Sequence, residues 1–262
     1  MWEWLLPLFG FLISIAAALT GVGGGIFIVP LLTLFYSFEP VMAVGTSLAT
    51  IVITSLASSA NYLKQKRVYV KAGLVLACAT APGGYIGAAI TAVPVVKMLL
   101  GVIFGVFLIL VAFQMVYKAL STRPMKALVT VDPAFERGLL GNWRKMLQGL
   151  CLSFFGGMAS GLLGIGGGVV LVPVMCYALD IPIQFSIPTS MFIMIFTSIF
   201  GVANHVQLGN VNAVYAVYLG VGSVIGAQVG AYVSRRFSIK SLSFVFAAML
   251  ILASVNMILK YA

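Results

Sequence analysis

Gly21-Val22-Gly23-Gly24-Gly25-Ile26-Phe27-Ile28-Val29-Pro30 interrupts a long apolar run. Gly164-Ile165-Gly166-Gly167-Gly168-Val169-Val170-Leu171-Val172-Pro173 repeats it almost residue for residue. The offset of 143 positions also pairs Thr46-Ser47 with Thr189-Ser190, Thr54-Ser55 with Thr197-Ser198, Asn61 with Asn204, Val68 with Val211, Gly83 with Gly226 and Gly87 with Gly230. No gap is needed, so the chain is one unit used twice. Four glycines in five residues cannot form a stable helix interior, since each costs roughly 1 kcal/mol against alanine. In a membrane, such a break is tolerated only where it is packed in protein or lines a watery cavity.

The chain is 62% hydrophobic and only 8% charged, with a mean hydropathy of +1.15. That leaves too little polar surface to cover a soluble globule, and the expected class is an all-α integral membrane protein. The net charge of +10 does not point to nucleic acid, because the fifteen Lys and Arg fall in short segments between apolar runs. They read as topology signals beside anionic lipid. Cys78, Cys151 and Cys176 are isolated within apolar runs and read as small core residues. Met1-Trp2-Glu3-Trp4 has no basic segment of the kind that opens a signal peptide, and Trp2 and Trp4 read as interfacial anchors.

The first run, 4–38, exceeds the roughly 20 residues of one span, so it reads as two shorter helices bent at the glycines. Spans follow at 41–63, 72–92 and 95–117. Residues 118–145 form a polar, basic linker expected on the cytoplasmic side, separating a first membrane repeat (1–117) from a second (146–262). In the second repeat a broken run at 146–179 precedes spans at 183–206, 211–233 and 241–259. The loop after the first half's second helix carries Lys64, Lys66, Arg67 and Lys71, whereas its counterpart, Gln207 to Asn210, carries none. If each broken run enters and leaves on one side, thirteen of the fifteen basic residues share a face and only Lys97 and Lys260 oppose them; if each crosses, the split is eleven to four. The first count favours inverted repeats, an arrangement that places a transporter's site where the repeats meet.

Each glycine run opens a new helix whose first N–H groups lack intrahelical partners and carry partial positive charge. Gly23, Gly24 and Gly25, with Gly166, Gly167 and Gly168, are therefore candidate anion ligands. The helix after each break carries a hydroxyl stripe: Thr46, Thr50, Thr54, Ser58 and Asn61 at helical spacing with Ser47, Ser55 and Ser59 beside them, thinned in the second half to Thr189, Ser190, Thr197, Ser198 and Asn204. Neutral donors suit an anion that must also leave, and Thr46, Ser47, Asn61, Thr189, Ser190 and Asn204 complete the candidate substrate site. Against this, a lone Ser or Thr in a membrane helix usually bonds its own i−4 carbonyl. His205, the sole histidine, is a candidate proton relay, although a histidine at a span's end can simply be solvated. Gln114 and Gln228 read as structural, and Gly83, Gly87, Gly226 and Gly230 as helix-packing positions. No hydrolase, zincin, phosphate-loop or dinucleotide motif is present, so an enzyme, a cofactor and a metal are not expected.

The two glycine runs with their trailing prolines, Gly45-Thr46-Ser47, the basic loop after Asn61, and Pro188-Thr189-Ser190 together resemble the TauE/SafE sulfite exporter family over essentially the whole chain. Pro188 departs from Gly45 of the first half. The resemblance implies a carrier in the cell membrane that exports a small sulfur-bearing anion, sulfite or an organosulfonate, by alternating access. A negative cell interior favours anion exit by about 2.3 kcal/mol per charge per 100 mV. A passive anion channel and a non-transporting membrane assembly partner remain open alternatives. Expected partners are the small anion and membrane lipid, with self-association left open and no nucleic acid.

Overall fold

The computed structural model describes residues 3–121, 130–234 and 239–261, with residues 115, 117–121 and 239–249 as backbone only. The basic positions Arg123, Lys126, Arg235 and Arg236 lie outside the described residues. Seven helices are long and apolar enough to cross a membrane, and the described residues contain no strand. The first half comprises α1 (Leu6–Thr20), α2 (Gly25–Pro30) running into a π-helical turn (Leu31–Phe35), α3 (Pro40–Lys64), α4 (Val70–Ile90) and α5 (Pro94–Ser121). A short amphipathic helix, α6 (Pro133–Gly141), occupies part of the expected linker. The second half comprises α7 (Trp143–Leu163), α8 (Gly168–Pro173) with its π-turn (Val174–Ala178), α9 (Ile183–Gln207), α10 (Ala213–Val233) and α11 (Ile239–Tyr261).

Contacts between distant residues fix which helix ends lie together. At one rim the Tyr215 hydroxyl donates to Glu3 Oε1 at 2.9 Å, and the Tyr215 ring packs on those of Tyr36 and Phe38 at 5.5 and 4.8 Å. Residue 3, before α1, therefore meets residues 36–38, after the return leg. The first broken run turns back at its glycines. At the other rim Lys145 Nζ lies 2.6 Å from Asp180 Oδ2, so the second broken run also turns back, from the opposite end. Trp4 and Trp143, 70% and 67% exposed, mark the two rims as interfacial aromatics do.

The halves interlock. α1 packs along α10 of the other half, and α7 along α4. A β-carbon at Gly226 or Gly230 would strike the carbonyls of Phe11 or Ile15; one at Gly83 or Gly87 would strike those of Phe154 or Met158, the same contacts displaced by 143 positions. With no hydrophobic drive between helices in lipid, such small-residue contacts hold the bundle. α3 and α9 pack against each other inside it, and α5 pairs with α11 through Gly101 and Gly105 against Tyr261 and Ile258. Cys78 and Cys151, expected in the core, instead face outward. In lipid the outer face is apolar too, so a small hydrophobe gains nothing by turning inward.

Alanine at Gly83 or Gly226 should lower the melting temperature, with a cost of about 1–3 kcal/mol for overpacking. Gly138→Ala, on exposed α6 with open space around it, should be neutral or stabilising by up to about 1 kcal/mol. Thermal unfolding in detergent distinguishes the two.

Candidate functional site

The glycines of each break divide their work. Gly21 (φ +76°) and Gly164 (φ +69°) end α1 and α7, their N–H groups donating to the carbonyls of Ala17 and Ser160 at 2.8 Å. Gly23 and Gly24, like Gly166 and Gly167, also hold left-handed backbone that a side chain would strain. Gly25 and Gly168 serve a different purpose, since a β-carbon on Gly25 would overlap the Gly164 carbonyl oxygen, and one on Gly168 the Gly21 carbonyl oxygen. The two breaks are thus pressed backbone to backbone, each exchanging the same contact with the other. Between them sits the Met194 thioether, midway along α9, where a β-carbon on Gly23 or Gly166 would come within 2.8 or 2.9 Å of Sδ.

The two Thr-Ser pairs sew this contact together. Ser47 donates to the Gly164 carbonyl at 2.8 Å, and Ser190 donates to the Gly21 carbonyl at 2.9 Å. Thr46 accepts the Asn212 N–H at 3.0 Å, and Thr189 accepts the Tyr69 N–H at 3.1 Å. All four side chains have no exposed surface, and every one of these bonds joins one half to the other. Ser190 shares its hydrogen with the Ile187 carbonyl at 2.8 Å. In this conformation the serine hydroxyl hydrogens are engaged by carbonyls, so an anion would reach them only as the halves part.

In α2 the first helical donors are Phe27 and Ile28, both to Gly24 O at 3.0 Å, and in α8 Val170 and Leu171 donate to Gly167 O at 3.0 and 2.9 Å. The N–H groups of Gly25, Ile26, Gly168 and Val169 precede those ladders. Thr50 and Thr54 bond back to the carbonyls of Thr46 and Thr50, the local pattern expected of isolated hydroxyls.

Asn61 is engaged away from the glycine runs. Asn61 Nδ2 donates to Gln228 Oε1 at 2.9 Å, while Gln228 Nε2 donates to the Ala57 carbonyl at 2.7 Å, which ties α3 to α10. Asn204 Oδ1 is buried with no partner among the described residues. His205 is not solvated at the span's end but fully buried. Its Nε2 lies 3.1 Å from the Gly161 carbonyl, which can only accept, so Nε2 carries the proton and Nδ1 is an acceptor with no donor among the described residues. Its counterpart Tyr62 donates to the Ala18 carbonyl at 2.6 Å, and Ala18 and Gly161 are themselves 143 positions apart. His205 thus performs the same helix-end tie as a tyrosine. The pairing of Tyr62 with His205 is visible in the sequence; the shared acceptor is not. No group of three or more His, Cys, Asp or Glu that could hold a metal occurs among the described residues.

Seven span-length apolar helices and two interlocked, glycine-broken units, with no strand among the described residues, define a polytopic α-helical membrane protein. The family model described as sulfite exporter TauE/SafE matches residues 6–257, and the chain belongs to that family of membrane transporters. It is 33% identical over 268 residues to the probable membrane transporter protein YunE of Bacillus subtilis, covering 97% of this chain and 96% of that one. A probable membrane transporter of Methanocaldococcus jannaschii is 25% identical, covering 94% and 91%. Sulfite exporter TauE/SafE family protein 3 of Arabidopsis thaliana is 32% identical over 106 residues, covering 38% of this chain and 22% of its own length. No solved structure matches significantly.

Ser47→Ala and Ser190→Ala should each cost about 1–3 kcal/mol, the penalty for a buried carbonyl that loses its donor. Ser47→Ala is expected to lose more in thermal unfolding than Ser190→Ala, because Ser190 divides its hydrogen between the Gly21 and Ile187 carbonyls. His205→Gln, whose amide can reach Gly161 from the Nε2 position, should stay within about 1 kcal/mol of the parent, whereas His205→Ala should lose about 2 kcal/mol or more.

Proposed function

We propose that this chain is a secondary carrier that exports a small sulfur-bearing oxyanion, sulfite or an organosulfonate, through the cell membrane by alternating access. The observation that carries the proposal is the reciprocal set of ties at the breaks. Ser47 on Gly164 and Ser190 on Gly21 are the same bond in the two halves. Rocking one half against the other would loosen one tie while the other stays closed. A freed serine hydroxyl and the N–H groups at Gly25–Ile26 or Gly168–Val169 then supply neutral donors at one place, where helix dipoles favour negative charge. A neutral site holds an anion weakly enough to release it. Met194, filling the space between the breaks, favours a carrier over a standing pore.

The orientation follows the basic residues. Lys97 and Lys260 belong to the rim of Glu3, and Lys64, Lys66, Arg67, Lys71 and Lys145 to the other, where the loop after α3 meets α6, α9 and α10. The second rim is then cytoplasmic. His205, with its acceptor Nδ1, is the residue through which proton coupling would run.

In proteoliposomes, radiolabelled sulfite should exchange saturably with unlabelled sulfite trapped inside, with competition by small sulfonates and no response to phosphate. If His205 relays protons, His205→Gln should exchange sulfite but lose the dependence of net flux on a pH gradient. Flux that never saturates would favour a channel. Absence of flux for every sulfur anion, alongside a stable complex with another protein, would favour an assembly partner.

A further inference from the structure

Among the described residues Arg67 is the one buried cation, 9% exposed, in the loop between α3 and α4. Its Nη1 donates to Gln65 Oε1 at 3.2 Å and to Ser234 Oγ at 3.0 Å, and its Nη2 donates to the Gln184 carbonyl at 3.1 Å. Pro188 explains that last acceptor. Having no N–H, it cannot bond the carbonyl four residues back, and that carbonyl is Gln184's. The guanidinium also lies 5.6 Å from the Tyr62 ring centroid, and Tyr62 reaches the Ala18 carbonyl in the last turn before Gly21. Gln184 stands six residues before Ser190 on α9, about 9 Å along the helix. Its side-chain Nε2 is buried and has no acceptor among the described residues.

We infer that Arg67 and the Gln184 side-chain amide form an anion-capture site at the basic rim, where the transported oxyanion docks before it moves on to the Gly21–Ser190 tie. The inference rests on the carrier reading above. A guanidinium offers a planar fork of donors matched to two oxygens of an oxyanion, and the waiting amide adds a further donor. Among the described residues, the hydroxyl of Ser234, the amide oxygen of Gln65 and the carbonyl of Gln184 accept from the guanidinium, and an oxyanion outcompetes each of these neutral acceptors. Exposed Lys64 and Lys66 in the same loop draw anions toward this mouth at long range. The position related by the 143 offset is Asn210, neutral, with its N–H on the His205 carbonyl at 2.8 Å. Capture chemistry is therefore built into one rim, and the opposite mouth is left to release.

The test is sulfite exchange in proteoliposomes with Gln184→Glu, Arg67→Lys and Arg67→Gln. Gln184→Glu gives the guanidinium an internal carboxylate, so a purely structural Arg67 would be held as firmly as before, with exchange unchanged. The capture site requires instead that the KM for sulfite rise about tenfold or more while the melting temperature is retained. Arg67→Gln should raise KM likewise and flatten the dependence of KM on ionic strength, and Arg67→Lys should fall between. Where the Arg67 variants do not fold, Gln184→Glu decides alone. Wild-type KM and wild-type salt dependence in folded Gln184→Glu would overturn the capture site and leave the carrier standing. A parent protein that exchanges no sulfite would overturn the carrier reading and the capture site with it.

Discussion

The structure depends on one contact made twice: the Gly25 backbone against the Gly164 carbonyl, and the Gly168 backbone against the Gly21 carbonyl. Two chains can come this close only where neither has a side chain, and a carbonyl brought inside a membrane protein must find a donor. Ser47 and Ser190 provide it, which places α3 and α9 against the breaks. The hairpins that carry the breaks are then committed to the opposite half, since α1 lies in the glycine groove of α10 and α7 in that of α4. The groove that each half offers is filled by the first helix of the other. Folding of one half is accordingly incomplete without the other, and motion of one half is felt at the other's break.

Polar groups inside the bundle fall into two kinds. Some satisfy themselves locally, as Thr20 and Thr33 do by bonding carbonyls four residues back, and these say little beyond helix maintenance. Others span the halves: the Thr-Ser pairs, and Asn61 with Gln228. The second kind would be rearranged by any relative movement of the halves. Their neutrality matters, because breaking a neutral hydrogen bond costs far less in a membrane interior than exposing a charge there.

Much of this was legible in the sequence. The duplicated glycines, the ungapped offset and the span boundaries all follow from local pattern, and α3, α9 and α10 start and stop within about two residues of the expected positions. Gly83, Gly87, Gly226 and Gly230 were readable as packing positions because small residues at four-residue spacing have few other uses in a membrane helix. The path of the broken runs was not decided, since thirteen against two and eleven against four are both acceptable distributions of basic residues. Contacts between residues 3 and 215, and between 145 and 180, decide it, and no window of sequence contains such pairs. The partners of Ser47 and Ser190 were hidden for the same reason. Hydroxyl spacing locates a donor, but its acceptor is a carbonyl more than a hundred residues away. Arg67 read as one more topology charge because burial is a property of the loop's fold over α9 and α10, not of its composition.

Where the two halves cease to match is as informative as where they agree. Gly45 corresponds to Pro188, Ile51 to Met194, Tyr62 to His205 and Arg67 to Asn210. Gly45 is required because the Asn210 carbonyl approaches it too closely for a β-carbon. Pro188 instead withholds an N–H, and the carbonyl thereby released is the one that Arg67 takes. A duplicated unit with identical ends would bind its substrate equally from either face and give neither face a preference. Exchanging a close backbone contact for a proline-freed carbonyl, and an asparagine for an arginine, changes the charge at one rim without disturbing the reciprocal ties between the glycine breaks. Symmetry maintains the closed middle, and its local failure distinguishes the two sides of the membrane.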